Sequence, residues 1–353
     1  MTDHSLSKTN TPPKIIGGMF GLEHTSKLNN STPCFLNDQA VLLLNASSGL
    51  SLLIKMLSPP QVWMPSYLCD SMLKAADNGT TAVRFYGVNY DLEVSSLDWI
   101  DNVVPNDLVV VVDYFGFPFD KRCADQAKKQ GAWILKDACQ AFLSQQLDPS
   151  FDFILLSPRK FIGIPDGGVL NLNHKIKFDS TTLERPPAAW WLKALSASIL
   201  RREFDLYGGE RVWFELFQDT ETNFPIGPYA MSQLTQMMLR HSFDYPVIAQ
   251  KRIENYQHLN SVMGSVALFP KLPDQVVPLG FPIRVKDRDR VRQALFDHEI
   301  YPPLHWPIHD IVPEKFSDSH RLAAEIMTLP CDQRYDLEDM EQIACSVWGA
   351  LQR

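Results

Sequence analysis

The sequence lacks the patterns that define membrane-spanning and nucleic-acid-binding proteins. No apolar stretch approaches the roughly 20 residues that a membrane-spanning helix needs. No run of Lys or Arg supplies the electrostatic footprint of a general nucleic-acid binder. Lys and Arg number 33 against 41 Asp and Glu, so the formal net charge of the 353 residues is −8. We therefore expect neither a membrane nor a nucleic acid as a partner.

Cysteine is scarce and scattered. The six cysteines form no C-x-x-C pair and no spacing typical of metal ligands, so we predict no metal site. Such usage favours a reducing, cytoplasmic compartment, where thiols stay free. The Walker A, G-x-G-x-x-G and H-E-x-x-H motifs are also absent. Residues 1–13 are polar, lack the apolar core of a signal peptide and are predicted to form a disordered tail.

From about residue 40 to 175, short β-rich runs alternate with helical stretches. The run Leu108–Val112 is apolar throughout, as expected for a parallel strand that is covered on both faces. Trp133–Leu135 and Phe153–Leu156 are similar, and Ala46–Leu57 has a helical pattern. Strands that alternate with helices indicate an α/β layered sheet.

The second half of the chain is predicted to end in a smaller α+β domain. Residues 178–240 are helical and rich in aromatics, and Arg201-Arg202 is interpreted there as a solvated helix face. A long helix is predicted from Met231 through Leu259, with a bend at Pro246. The length suits two domains, which we place at 14–245 and 246–353.

Three polar segments follow predicted strands, where ligands of open α/β sheets bind. Asp137 and Gln140 come after Trp133–Leu135, and Asp137 either lies under a heteroaromatic cofactor or caps the next helix. Lys160 comes after Phe153–Leu156, and it is either a desolvated nucleophile or an ordinary surface lysine. Ala46, Ser47 and Ser48 open a helix, where they form either a phosphate cradle or a simple cap.

In order and spacing, these segments resemble the DegT/StrS family of sugar aminotransferases, which are fold type I enzymes dependent on pyridoxal 5'-phosphate (PLP). The family text E-D-A-A-Q-A resembles the stretch 136–141, which reads K-D-A-C-Q-A. The family text P-x-K-N-L-G-x-x-G-D-G-G resembles the stretch 158–168, which reads P-R-K-F-I-G-I-P-D-G-G and is one residue shorter. Weaker matches span nearly the whole chain from about residue 15.

The resemblance implies a fold and a set of residue roles. The fold is a mostly parallel seven-stranded sheet in a large PLP-binding domain, followed by a small C-terminal α+β domain. Lys160 would hold PLP through a Schiff base and move the proton, and Asp137 would pair with the pyridine nitrogen. The other implied cofactor contacts are Ala46, Ser47, Ser48, Tyr67, Cys69, Gln140 and Ser157, and the implied substrate contacts are Tyr114, Phe115 and His305.

Three positions depart from the family text. Leu155 stands where the family has a serine, and Cys69 stands where it has the aromatic residue that stacks on the ring. The stretch 226–230 lacks the Asn and Arg of the family's G-x-N-x-R segment. These departures weaken the predicted phosphate site and leave the predicted catalytic pair, Lys160 and Asp137, intact.

The implied function is transfer of an amino group from an amino acid, with glutamate the expected donor, to a nucleotide-linked keto-sugar. Such a reaction serves polysaccharide or secondary-metabolite biosynthesis, and the resemblance implies a homodimer. Two alternatives stay open at this point. One is other PLP chemistry on the same scaffold, although family dehydratases carry His in place of the lysine. The other is a non-catalytic, ligand-binding regulatory descendant, which the altered phosphate site favours.

Overall fold

The computed structural model describes residues 14–23, 33, 35–144, 148–172 and 176–352. The predicted tail at 1–13 lies outside them. The described strands are β1 (Ile16–Gly17), β2 (Ala40–Leu43), β3 (Gln61–Pro65), β4 (Ala82–Tyr86), β5 (Leu108–Val112), β6 (Trp133–Asp137), β7 (Phe153–Leu156), β8 (Gly168–Leu172), β9 (Phe281–Arg284), β10 (Ile300–Tyr301) and β11 (Ile326–Leu329). The described helices are α1 (Ala46–Leu57), α2 (Asp70–Ala76), α3 (Lys121–Lys129), α4 (Ala188–Tyr207), α5 (Val212–Thr222), α6 (Gln233–His241), α7 (Tyr245–Met263), α8 (Arg288–Phe296), α9 (Ser317–Glu325) and α10 (Leu337–Leu351).

A seven-stranded sheet forms the centre of the fold, in the order β2-β8-β7-β6-β5-β3-β4. The pairs from β4 through to β7 are parallel, whereas β8 runs antiparallel to both of its neighbours. Every residue of β5 is buried, because helices cover the sheet on both faces and β-branched side chains pack well there. The predicted mostly parallel seven-stranded sheet is therefore confirmed.

The C-terminal part adds smaller sheets. β9 pairs antiparallel with β11, and the short β10 pairs in parallel with β1 from the start of the described chain. α10 begins at a capping box, in which Asp336 and Asp339 satisfy each other's backbone N–H groups. The domain division at residue 245 stays a prediction.

Two predictions in the middle of the chain are wrong. The expected helix from Met231 through Leu259 is two helices, α6 and α7, because Asp244 caps a new helix that has Pro246 in its first turn. Arg201 is 1% exposed rather than solvated. Its guanidinium donates to the Gly17 carbonyl, pairs with Asp205 at 2.8 Å and stacks 4.6 Å from the Trp213 ring centre.

None of the helices in the described part of the chain is long and apolar enough to cross a membrane.

Candidate active site

A cavity of about 930 Å³ opens at the carboxyl ends of the parallel strands. The strands β5, β6 and β7 end there, with Val112, Asp137 and Leu155 lining the cavity, as expected for the ligand site of an open α/β sheet. Eight of the residues predicted from the sequence line this one cavity: Ala46, Ser47, Cys69, Asp137, Gln140, Ser157, Lys160 and His305.

Asp137 ends β6 and is buried. The Cys139 N–H donates to its Oδ1 at 2.9 Å, which fixes the orientation of the carboxylate. A buried carboxylate that lines a cavity is suited to hold a cationic N–H of a ligand.

Gln140 has one half of its amide satisfied and the other half unpaired. The Phe115 N–H donates to Oε1 at 2.9 Å, which leaves Nε2 as the donor end. That nitrogen is buried and has no hydrogen-bond partner among the described residues. An unpaired buried donor costs about 1–3 kcal/mol, so Gln140 Nε2 is suited to donate to an acceptor atom of a ligand. The phenolic oxygen of PLP is such an acceptor, and Gln140 therefore fits this cofactor.

Lys160 stands at the end of a short 3₁₀ turn, Pro158–Lys160, directly after β7. Its Nζ lies 6.0 Å from the ring centre of Trp306. The residue before it, Arg159, pairs with Glu221 of α5 at 2.5 Å. The Phe161 carbonyl after it accepts from Arg252 Nη2 at 2.9 Å and from Gln333 Nε2 at 2.7 Å. Long-range contacts thus hold the turn that carries the lysine on both sides.

The N-terminus of α1 forms the opposite end of the predicted cofactor site. Asn45 caps the helix by accepting from the Ser48 N–H at 2.8 Å, and Ala46 and Ser47 line the cavity. Free N–H groups at a helix N-terminus bind anions such as phosphate. Ser48 itself is buried, its Oγ accepts from the Gly227 N–H at 3.3 Å, and it does not line the cavity.

The chain approaches this helix end very closely at Gly168. A Cβ on that residue would lie 2.2 Å from the backbone carbon of Asn45, so only glycine fits the start of β8. The D-G-G motif that ends in Gly168 therefore has a packing role, because its last glycine lets the antiparallel strand β8 pack beside the cap of α1.

Three further predicted residues lie behind the cavity. Tyr67, Tyr114 and Phe115 are buried and do not line it. Tyr114 donates from its hydroxyl to the Tyr67 carbonyl at 2.5 Å, and Phe115 supports Gln140 through its N–H. These positions are supporting ones, and a role in substrate contact stays a prediction for Tyr114 and Phe115.

Cys69 and His305 face the cavity in their uncharged forms. Burial raises the pKa of the Cys69 thiol, and the Lys160 cation opposes that shift. Burial and the same cation lower the pKa of His305 to about 3, so its imidazole is neutral at pH 7. Its Nδ1 lies 2.9 Å from the Thr328 hydroxyl, which fixes the ring.

The sequence interpretation missed a third part of the cavity. Side chains of α4 and α5 also line it, and the aromatic character of residues 178–240 was the available signal. It also missed the contacts of Arg252 and Gln333 with the Phe161 carbonyl, which join residues far apart in the sequence. Among the described residues, no group of three His, Cys, Asp or Glu side chains could hold a metal ion.

No protein-family model matches the sequence, and no curated protein matches it. Several solved structures match the fold of the chain. Helicobacter pylori PseC, an aminotransferase involved in the biosynthesis of pseudoaminic acid, superposes with a TM-score of 0.67 at 16% identity, over 96% of this chain and 100% of that one. The chain therefore has the fold of this aminotransferase.

Two further structures support the same fold assignment. Spr1654 from Streptococcus pneumoniae, in a PLP-form, gives a TM-score of 0.63 at 14% identity over 89% of this chain and 87% of that one. DesI, solved in the presence of its TDP-sugar product, gives 0.62 at 19% identity over 89% of this chain and 81% of that one. The fold class predicted from the DegT/StrS resemblance is therefore confirmed.

Proposed function

We propose that this protein is a PLP-dependent aminotransferase. The observation that carries the proposal is the meeting of Lys160, Asp137 and Gln140 on one cavity, in which the donor end of Gln140 lacks a partner. An amine, a carboxylate and an amide donor are the groups that a pyridine aldehyde with a phenolic oxygen requires. The similarity to Spr1654 in its PLP-form adds support for this cofactor.

Each end of PLP has a matching group in this chain. The Asp137 carboxylate would accept from the ring N–H, and Gln140 Nε2 would donate to the phenolic oxygen. The N–H groups at the start of α1, together with Ser157, would hold the phosphate. Cys69, which lines the cavity, and Tyr67, which is buried and does not line it, stay predicted ring contacts.

PLP, when bound, supplies an electron sink that stabilises negative charge on the carbon from which a proton is lost. Lys160 Nζ would take that proton and return it at the neighbouring carbon, as general base and then general acid. The contacts to Arg159 and Phe161 hold the turn that carries this amine. The Asp137 carboxylate would keep the ring nitrogen protonated.

The acceptor we propose is a nucleotide-linked keto-sugar, with glutamate as the amino donor. DesI was solved with a TDP-sugar product, and PseC acts in pseudoaminic acid biosynthesis, which supports a sugar acceptor here. We further propose a cytoplasmic homodimer that serves polysaccharide or secondary-metabolite biosynthesis.

One observation favours a second candidate function, a non-catalytic ligand-binding protein. Leu155 lines the cavity at the position where the family has a serine, so one predicted phosphate contact is apolar. A protein that has lost productive PLP binding would keep the fold and lose the chemistry.

The test is a visible absorbance spectrum of the purified protein with added PLP, before and after borohydride, followed by peptide mapping. We expect a band near that of a PLP Schiff base and a label fixed on Lys160. Lys74, which also lines the cavity and pairs with Asp70 at 2.7 Å, is the matched control. Lys74→Ala should keep the label, and Lys160→Ala should lose both the label and transamination. No band, or a label on Lys74, would favour the binding-protein candidate.

A further inference from the structure

Arg252 of α7 is a fully buried cation whose hydrogen-bond partners are all uncharged. Its side chain is 0% exposed. In the described part of the chain, its guanidinium donates to the carbonyls of Phe161, Pro278 and Leu279 and to the side-chain oxygen of Gln333. Burying a cation costs free energy that uncharged acceptors offset only in part. The charge therefore calls for a role beyond packing.

One arm of this guanidinium holds the turn that carries Lys160. Arg252 Nη2 donates to the Phe161 carbonyl at 2.9 Å, and Gln333 Nε2 donates to the same oxygen at 2.7 Å. Arg252 Nε in turn donates to Gln333 Oε1 at 2.9 Å, so the three groups form a closed set. The guanidinium also lies 4.6 Å from the ring centre of Phe161. The residue that follows Lys160 is thus fixed through both its carbonyl and its ring.

The other arm leads to Gln140 through the backbone. Arg252 Nη1 donates to the Leu279 carbonyl at 3.1 Å. The Leu279 N–H donates to the Phe115 carbonyl at 2.9 Å, and the Phe115 N–H donates to Gln140 Oε1 at 2.9 Å. These three hydrogen bonds form a continuous path from the guanidinium to the amide whose Nε2 is unpaired.

The backbone part of this path is stiff because two segments of the chain touch at Gly116. This glycine has a φ of +101°, and a Cβ on it would lie 2.5 Å from the Val277 carbonyl. The Ser144 hydroxyl donates to the Val277 carbonyl at 3.1 Å and accepts from the Val277 N–H at 2.9 Å. Movement of Leu279 is therefore passed on to Phe115.

A guanidinium is suited to join the two arms, because its donors lie in one rigid plane at fixed spacing. The aldehyde carbon and the phenolic oxygen of PLP are carried by adjacent ring atoms, so Lys160 and Gln140 have to reach neighbouring points. A misplacement of about 1 Å at a reacting centre can cost about 10²-fold in rate. Arg252 does not line the cavity, so it can act there only through its partners.

We infer that Arg252 is a positioning residue that sets the separation between Lys160 and Gln140. It acts through the carbonyls of Phe161 and Leu279 and touches neither cofactor nor substrate. The inference rests on the proposed function, in which Lys160 binds the aldehyde carbon of PLP and Gln140 donates to its phenolic oxygen. That donation draws charge away from an oxygen that would otherwise stabilise the proton on the neighbouring Schiff-base nitrogen. Correct placement therefore lowers the pH at which the Schiff base loses its proton.

The test measures this pH on the PLP-loaded protein by following its visible absorbance. Arg252→Met should raise the pH by about one unit, comparable with the loss of one hydrogen bond to a charged group. Arg201→Met is the matched control, because Arg201 is also buried but donates to the Gly17 carbonyl rather than to the lysine turn. The control should lower the stability of the protein and leave the pH unchanged.

Two further variants separate the arms. Gln140→Leu should raise the same pH, and Arg252→Met/Gln140→Leu should raise it by less than the sum of the two single changes, because both act on one oxygen. Gln333→Met removes a donor to the Phe161 carbonyl and keeps the arginine. It should raise the pH by a smaller amount, and it serves as the test if circular dichroism shows that Arg252→Met does not fold.

The outcomes distinguish the inference from the proposed function. An unchanged pH in a folded Arg252→Met protein, an equal rise in Arg201→Met, or a full sum in the double variant would overturn the positioning role and leave the aminotransferase proposal standing. An unchanged pH in Gln333→Met would do the same where Arg252→Met does not fold. A wild-type protein that forms no Schiff base with PLP would overturn the aminotransferase proposal and the inference with it.

Discussion

Replacement of Lys136 by methionine tests how much a buried ion pair beside the site contributes to the free energy of unfolding. Lys136 precedes Asp137 on β6, and its Nζ lies 2.9 Å from Asp113 Oδ2. The two side chains are 10% and 1% exposed, so the pair is buried. Lys136→Met would remove the Lys136 cation from beside the buried Asp113 carboxylate, in a medium of low dielectric. Breaking a buried pair in this way costs about 3–5 kcal/mol.

The assay is equilibrium unfolding in urea, with the slope against urea concentration checked for constancy between variants. Lys121→Met is the control, because Lys121 forms an exposed pair with Asp148 and its side chain is 54% exposed. Exposed pairs contribute about 0–1 kcal/mol, so this variant should lose little stability. The double variant Lys136→Met/Asp113→Asn should recover part of the loss, because it removes both charges and keeps an oxygen for the Phe119 N–H, which donates to Asp113 Oδ1 at 2.9 Å. A single variant that loses less than Lys121→Met, or a double variant as unstable as the single one, would refute the reasoning.

Two other predictions concern the cavity itself. Asp137→Ala should lower transamination about 10²–10³-fold, the usual cost of removing a preorganised electrostatic partner, while circular dichroism stays unchanged; near-normal turnover would mean that another group holds the ring nitrogen. His305 has a native pKa of about 3, below its ordinary value. Between pH 3 and 6.5 the unfolded chain therefore binds a proton that the native protein does not. Because of this difference, the free energy of unfolding falls as the pH is lowered. His305→Asn should therefore reduce the loss of stability between pH 7 and pH 5 by up to about 2 kcal/mol. The measurement is urea unfolding at both pH values. An unchanged loss would show that the imidazole is already protonated in the native protein.

Residue patterns within short stretches of the sequence predicted the strands and helices that such patterns determine. The apolar run of β5 and the helical pattern of α1 lie at the bounds expected from the sequence. The break between α6 and α7 was also visible in principle, because Asp244 followed by Pro246 is the signature of a helix start.

Features that depend on distant partners could not be predicted in this way. Arg201 has the charge of a surface residue, but it is buried because the Gly17 carbonyl, far away in the sequence, accepts from its guanidinium. Arg252 supports the Phe161 carbonyl across 91 positions. Sequence motifs identified Asp137 and Lys160 as candidates, but only the fold shows that they line the same cavity.

The entry to and the exit from the α4–α5 hairpin lie side by side. The Glu184 N–H donates to the Pro228 carbonyl, and the Ala230 N–H donates to the Glu184 carbonyl, both at 2.8 Å. Two chain ends that meet at the surface of a fold tolerate insertion and replacement. The segment 185–227 therefore leaves and re-enters the fold at neighbouring points, so its loops can change length without opening the central sheet, provided that Glu221 and Trp191 keep their contacts with Arg159 and Asp166.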